Sequence, residues 1–341
     1  MLDQTQAEAD LDAAAASLLN APLVAATPAV GGGNNRVYRA ETRDGAYAIK
    51  FYPRQNTDPR DRLSHEFAAL TLMNAHGIGG VPRAYASDAE LGCAAYEWID
   101  GNVPGTMTDT DIDAMSALAM SLAAIGADAA ESIGTASAGC FSGADVTAQF
   151  SARLARLRDV ADDPALNAFL DERLAPGFNR MSVRAREIYA GSGVAFDAPL
   201  DSVRRTLSPS DFGFHNALRR PDGDLVFLDF EYFGWDDPVK MIADACWHPG
   251  SALTESAVTR FETAMLAFFA ARDGEALRIR YEALSPLFGM IWCLIVLNEF
   301  LPERWARRVL AGGAGDIETA RRRQLDMART LFTRVTQRYD D

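Results

Sequence analysis

The stretch that most constrains this chain is Ser208-Pro-Ser-Asp-Phe-Gly-Phe-His-Asn-Ala-Leu-Arg-Arg-Pro-Asp-Gly-Asp-Leu-Val-Phe-Leu-Asp-Phe-Glu231. It sets three polar residues, Asp211, Asn216 and Asp229, among apolar neighbours where an ordinary core would hold none. Pro221-Asp222-Gly223-Asp224 reads as a hairpin turn, because Asp-Gly accepts the positive φ angles of tight turns. Short strands are predicted on either side, Ala217–Arg219 and Leu225–Leu228. Centring the hairpin between Asp222 and Gly223 predicts Asn216 directly opposite Asp229, where cross-strand Cβ atoms stand roughly 4.5–5.5 Å apart. One carboxylate and one amide oxygen would then converge. That donor set suits Mg²⁺, which takes one or two carboxylates plus substrate phosphate oxygens. Asp211 falls on the loop before the first strand, within reach of a bound hydroxyl. Asp and Asn beside strands also serve as turn caps or solvated edge residues, so the hairpin alone leaves both readings open.

Upstream, Val30-Gly-Gly-Gly-Asn-Asn-Arg-Val-Tyr-Arg-Ala-Glu-Thr42 sets consecutive glycines, Gly31, Gly32 and Gly33, between a strand over Leu23–Pro28 and a second strand. Such glycines let backbone N–H groups approach a phosphate closely, and they equally make a flexible hairpin loop. The run is neither G-x-G-x-x-G nor a P-loop, because a strand follows it and no Gly-Lys-Ser/Thr is present. After the turn at Arg43-Asp44-Gly45, alternation in Ala46–Tyr52 puts Tyr47, Ile49 and Phe51 on one face and Ala48, Lys50 and Tyr52 on the other. Lys50 is then either an exposed edge residue or an ammonium beneath the glycine loop, where it would neutralise phosphate charge. Asp58-Pro59 predicts a helix start, with the helix running to His76 and stopping at Gly77. Leu63, Phe67, Leu70 and Met73 form its buried stripe. Glu66 sits at the margin, either solvated or a partner for Lys50. Val81–Tyr85 and Gly92–Ile99 complete a small, mostly antiparallel sheet. The turn formers Asp100-Gly101-Asn102-Val-Pro-Gly105 place a lobe boundary there.

Helical periodicity marks 7–19, where Leu11, Ala14, Ala15, Leu18 and Leu19 share a face on the outside of the first lobe. It then covers 109–127, 144–158, 164–190, 238–247, 253–272, 275–300 and 316–338. The 341 residues suggest one large domain or two lobes, and 48% hydrophobic with 23% charged residues can bury a substantial core. A net charge of −14 argues against a nucleic-acid surface, which wants a basic stripe. The four cysteines and four histidines show no metal-ligand spacing, and the cysteines read as reduced core residues. The first residues lack the basic start and apolar run of a signal peptide. Leu287–Leu297, the longest apolar run, is too short for a bilayer. A cytoplasmic protein without a membrane or nucleic-acid partner is expected; the oligomeric state is open.

Glycine loop, strand lysine, helix glutamate, aromatic-acidic hinge, Asp-x4-Asn loop and Asp-ending hairpin follow one another in this order. Over nearly the whole chain they resemble the protein-kinase-like small-molecule kinases: aminoglycoside phosphotransferases, choline kinases and fructosamine kinases. Gly31-Gly-Gly-Asn-Asn-Arg-Val-Tyr38 is similar to the family's nucleotide loop, Tyr47-Ala-Ile-Lys50 to its lysine strand, and His65-Glu-Phe-Ala-Ala-Leu70 to the helix with its glutamate. Ala95-Tyr-Glu-Trp-Ile-Asp-Gly101 is similar to the hinge that receives adenine.

The resemblance implies an α+β, bilobal protein-kinase-like fold, with a small antiparallel-sheet lobe over 1–100 and a mostly helical lobe over 101–341. It implies ATP, with GTP equally compatible, and Mg²⁺. Gly31, Gly32, Gly33, Asn34, Asn35, Lys50, Glu66, Glu97 and Trp98 would serve the nucleotide, Asn216 and Asp229 the metal, and Asp211 the acceptor hydroxyl of a small molecule. Glu231, His215, Asp236, Asp237, Trp247, His248, Trp292 and Glu299 are candidates on the substrate side; Glu231 could equally serve the second metal. Arg219 and Arg220 either touch phosphate or are solvated. Two departures stand out: Pro209 replaces the usual His of His-Gly-Asp, and Met241 stands where an aspartate is expected after Asp236-Asp-Pro. They motivate the alternative of a nucleotide-binding pseudokinase or regulatory module. A protein kinase is disfavoured, because no Asp-Phe-Gly to Ala-Pro-Glu segment follows.

Overall fold

The computed structural model describes residues 4–29, 35–53, 60–160, 162–305 and 315–339. Five strands, β1 (Ala25–Pro28), β2 (Arg36–Thr42), β3 (Gly45–Phe51), β4 (Ala84–Asp88) and β5 (Cys93–Glu97), form an antiparallel sheet ordered β1-β2-β3-β5-β4. The period-two alternation of β3 organises this lobe. Ile49 and Phe51 face α1 (Gln4–Leu19), packing with Leu11, Ala14, Ala15 and Leu18. Lys50 and Tyr52 face the opposite side, where α2 (Arg62–Ala75) presents Leu63, Glu66, Leu70 and Met73. Among the described residues α2 is capped by Asp61, whose side chain accepts from Ser64 N–H; Asp58 and Pro59 lie outside them.

The remainder is mostly helical: α3 (Asp109–Ala123), α4 (Gly143–Val160), α5 (Pro164–Phe169) and α6 (Ala175–Ser192), then α7 (Pro238–Trp247), α8 (Glu255–Asp273), α9 (Glu275–Val296) and α10 (Ile317–Tyr339). Helix α9 is apolar almost all round over Ala283–Val296, the composition of a helix with no solvent face. It packs against α4, α6, α7, α8 and α10. Glu275–Phe300 is long and apolar enough to cross a bilayer by length and composition, which the shorter Leu287–Leu297 run did not suggest. Yet 83% of its apolar window is buried inside the protein, so it is a core helix.

Two small ribbons interrupt the helices. The expected hairpin is β7 (Ala217–Arg219) with β8 (Leu225–Phe227); the other, β6 (Thr206–Ser208) with β9 (Gly234–Asp236), was not anticipated. The hairpin register corrects the sequence reading. Ala217 pairs with Phe227, and Leu228 N–H donates to Asn216 O at 2.7 Å, so Leu228 rather than Asp229 stands opposite Asn216. The turn is centred on Asp222 rather than on the Asp222–Gly223 bond, which shifts every pair by one residue. Asp229 is brought round by its own backbone, with φ 65° in the left-handed region.

Candidate active site

Lys50 is the electrostatic centre of the site. Its Nζ donates to Glu66 Oε2 at 2.6 Å and to Asp229 Oδ1 at 2.6 Å, joining β3, α2 and the residue beyond β8. Burial alone would lower the ammonium; Asp229, Glu66 and Glu231 outweigh it and hold Lys50 well above its ordinary value, fully charged. Burial pushes the Glu66 carboxyl upward against the pull of Lys50. Tyr52 OH donates to Glu66 Oε2 at 2.7 Å and lies 2.7 Å from Tyr96 OH, so the glutamate is fixed from two sides. Asp229 keeps the more accessible carboxylate, with 33% of its side chain exposed against 4% for Glu66.

Across from this cluster runs the Asp211–Asn216 loop. Ser210 stands at φ 65°, a strained conformation for a residue with a Cβ. Its Oγ donates to Tyr232 O at 3.0 Å and its N–H to Ser208 Oγ at 3.1 Å. Asn216 Nδ2 donates to Asp211 O at 3.0 Å, which ties the amide to the loop that carries Asp211. Asp211 Oδ1 lies 3.0 Å from His215 Nε2 and 3.1 Å from His248 Nε2. Burial alone would raise this carboxyl; the two imidazole hydrogen bonds overcome it and hold Asp211 far below the usual carboxylate range.

The fit to a hard cation rests on the donor set. Carboxylate oxygens of Glu66, Asp229 and Glu231 lie within 4.8 Å of one another, a set of hard oxygen donors of the kind Mg²⁺ accepts. Asn35 Oδ1 is also buried without a hydrogen-bond partner while its Nδ2 donates to Glu231 at 2.8 Å.

Other expected site residues stand elsewhere or do other work. Gly31, Gly32, Gly33 and Asn34 lie outside the described residues. Glu231 is 1% exposed and ion-paired to the equally buried Arg62, so its carboxylate is clasped between α2 and the segment after β8 rather than turned to a substrate. Glu97 takes Arg220 at 2.6 Å, and Trp98 Nε1 donates to Asp100 at 2.9 Å, so these hinge side chains are engaged locally. Arg219 forms a two-bond pair with Asp111, both at 2.9 Å.

Asp236 is buried beside Lys240 at 3.0 Å, its carboxyl pushed up to about 6 by burial; it accepts from Cys140 N–H rather than lining a substrate cavity. Trp247 is 1% exposed with Nε1 bonded to Ser285 O at 3.0 Å: a core tryptophan. Glu299 lies on the 3-10 turn Leu297–Phe300 after α9. The sequence reading missed Tyr52 and Arg62 as parts of the site. Tyr52 shares the strand face of Lys50, and Arg62 sits four positions before Glu66 on α2, so both carried a usable spacing signal.

A buried lysine–glutamate pair between a five-stranded sheet and its helix, set against an aspartate loop on a helical lobe, defines a phosphotransferase of the protein-kinase-like class. The chain belongs to the phosphotransferase enzyme family, whose sequence model matches residues 25–279. Among solved structures it is similar to the choline kinase LicA from Streptococcus pneumoniae, with 18% identity, TM-score 0.58, and 96% of this chain and 99% of that one covered. It is similar also to the spectinomycin phosphotransferase APH(9)-Ia in complex with ADP and spectinomycin, with 10% identity, TM-score 0.58, and coverage of 95% and 98%. A Plasmodium vivax ethanolamine kinase shares 12% identity at TM-score 0.54, with 91% of this chain and 81% of that one covered. At such identities the likenesses establish the fold. No curated protein matches the sequence significantly.

Proposed function

We propose that this protein is an ATP-dependent kinase that transfers the γ-phosphate to a hydroxyl of a small molecule of the sugar, amino alcohol or aminoglycoside kind. The observation that carries the reading is the buried Lys50 ammonium, held between Glu66 and Asp229 at 2.6 Å each, beside the Asp211–Asn216 loop. The acceptor class draws on the choline, ethanolamine and spectinomycin named for the structural relatives. We take 1–100 as the nucleotide lobe, with the hinge at 96–101, and 101–341 as the lobe that receives the acceptor.

Phosphoryl transfer needs positioning and charge neutralisation more than covalent help. Lys50, kept charged by its carboxylates, binds the α- and β-phosphates. Asn216 and Asp229 would hold Mg²⁺, which supplies positive charge to the phosphate oxygens. Asp211 orients the acceptor hydroxyl through its carboxylate. Because that carboxyl is held so far down, it is a weak base and takes the proton only after the acceptor oxygen has largely bonded to phosphorus.

The test is acceptor-dependent ADP release with Mg²⁺ and ATP over pooled sugars, amino alcohols, nucleosides and aminoglycosides, with Asp211→Ala as the blank. One pool raising ADP release in the wild type alone supports the kinase and narrows its substrate. Mg²⁺-ATP binding that Asp229→Ala abolishes, with no turnover on any pool, supports a nucleotide-binding module instead. Absence of nucleotide binding sinks both.

A further inference from the structure

We infer that His215 and His248 together form a two-imidazole cradle that fixes the Asp211 carboxylate through one oxygen, Oδ1, and leaves Oδ2 for the acceptor hydroxyl. The inference rests on the kinase reading and assigns positioning roles to two residues of that site. His248 stands at the end of α7, far along the chain from Asp211, yet its Nε2 lies 3.1 Å from Oδ1; His215 Nε2 reaches the same oxygen at 3.0 Å. The His248 tautomer follows from its other nitrogen. Nδ1 accepts Gly250 N–H at 2.9 Å, so the proton sits on Nε2 and is donated to Asp211. His215 Nε2 faces the same Oδ1, which as a carboxylate oxygen can only accept, so Nε2 carries the donated proton; its Nδ1 is buried without a partner. Among the described residues no side chain hydrogen-bonds Oδ2, and 28% of the Asp211 side chain is exposed.

The rings are stacked, with centroids 3.9 Å apart and planes within 6° of parallel, and His248 meets the Trp292 ring edge-on at 4.3 Å. This stacking decides against a metal at Asp211, His215 and His248, although the three ligand atoms are close enough for one. An imidazole binds a metal along its in-plane lone pair at about 2 Å, and an ion that close to both stacked rings would lie far out of both planes, whereas an oxygen 3.0–3.1 Å away is reached with less tilt. The loops are shaped for the stack. A Cβ on Gly213 would stand 2.0 Å from Ser251 Oγ and 2.9 Å from His215 Nδ1, and one on Gly250 would stand 2.8 Å from His248 Cε1. Two N–H donors on one oxygen hold the other at a set angle. Placement of this kind governs a transfer that relies on alignment.

Two variants separate donation from packing. His248→Phe keeps the ring and loses the N–H; His248→Gln loses the ring and can return an N–H near the Nε2 position. With the acceptor found above, His248→Phe should lower kcat about 10- to 100-fold at unchanged KM for ATP, and His248→Gln should recover most of it, to within about threefold of wild type. Equal activity of His248→Phe and wild type, or equal loss in both variants, overturns the inference. A second readout does not depend on turnover. In ¹⁵N-histidine NMR of the full chain, both imidazoles should be Nε2–H tautomers whose Nε2 protons shift when Asp211 becomes Ala. An Nδ1–H tautomer at His248, or no response to Asp211→Ala, overturns it. A wild type inert toward every acceptor would sink the kinase reading while the NMR still decides the cradle.

Discussion

Replacing Arg62 by Met should show how much of this fold hangs on one buried ion pair between the lobes. Arg62 on α2 and Glu231 beyond β8 each expose 1% of their side chains, and the guanidinium also lies 5.4 Å from the Tyr232 ring centroid. Without the guanidinium, Glu231 stays buried, with the Asn35 amide at 2.8 Å and the Tyr232 hydroxyl as hydrogen-bond partners and the Lys50 ammonium as the cation that still acts on it. Breaking a buried pair by removing one partner costs about 3–5 kcal/mol, because the desolvated charge is left uncompensated. Unfolding entropy of about 2.1 cal/mol/K per residue gives about 0.7 kcal/mol/K over the chain, so Tm should fall by about 4–7 °C. The double variant Arg62→Met/Glu231→Leu removes both charges and should regain most of that loss. Thermal and urea unfolding at neutral pH without nucleotide measures all three proteins. A single variant that loses under about 1 kcal/mol, or a double variant no better than the single, refutes the reasoning. It would also return Glu231 to the substrate side, where an altered acceptor KM in Glu231→Gln would then be expected.

Lys50→Met leaves Glu66 and Asp229 facing each other without a cation, and calorimetric titration should show Mg²⁺-ATP affinity lowered by about 100-fold or more. Tyr52→Phe removes one of the two donors on Glu66 and strands the Tyr96 hydroxyl; urea unfolding should show a loss of about 1–3 kcal/mol, with all of the wild-type stability retained if the hydroxyl is idle. Burial, with the neighbouring His215, lowers the His248 pKa below 6.5 despite the hydrogen bond to Asp211 and the nearby Asp244 carboxylate. Below pH 6.5 the unfolded chain therefore binds a proton that the folded one refuses, and stability falls with pH until the folded pKa is reached. His248→Phe should flatten this part of a urea-midpoint profile; an unchanged slope counts against it.

How far the site was legible depended on whether its signal was local. Lys50 and Glu66 were readable because strand alternation and a helix stripe each operate over a few residues, and both place the side chain on a definite face. The register of the hairpin was not. Asp-Gly signals a turn without fixing its centre, and the backbone reversal at Asp229 leaves no mark in composition. Strands β6 and β9, three residues each, are too short to show a period. Arg62 with Glu231, and His248 with Asp211, are meetings of distant segments. Sequence spacing could propose each residue but not the partner.

The two departures from the family pattern are connected in space. Met241, where an aspartate was expected, is 1% exposed and belongs to the apolar core, as its side chain requires. The carboxylate of this helix comes instead from Asp244, three residues on and near the same face of α7. Asp244 takes Lys240 Nζ at 2.6 Å on one oxygen and Trp292 Nε1 at 2.8 Å on the other. Trp292 is thereby fixed in orientation, and its ring lies edge-on to His248 at 4.3 Å. His248 in turn reaches Asp211, two residues beyond Pro209, where the family's bracing histidine is missing. An unbroken series of contacts thus runs from the displaced acid to the loop that lost its brace. On this arrangement Asp244→Asn should act on Asp211 only through Trp292 and His248, lowering kcat less than His248→Phe does. The double variant should be no slower than His248→Phe alone, and additive losses would show that the two departures are independent.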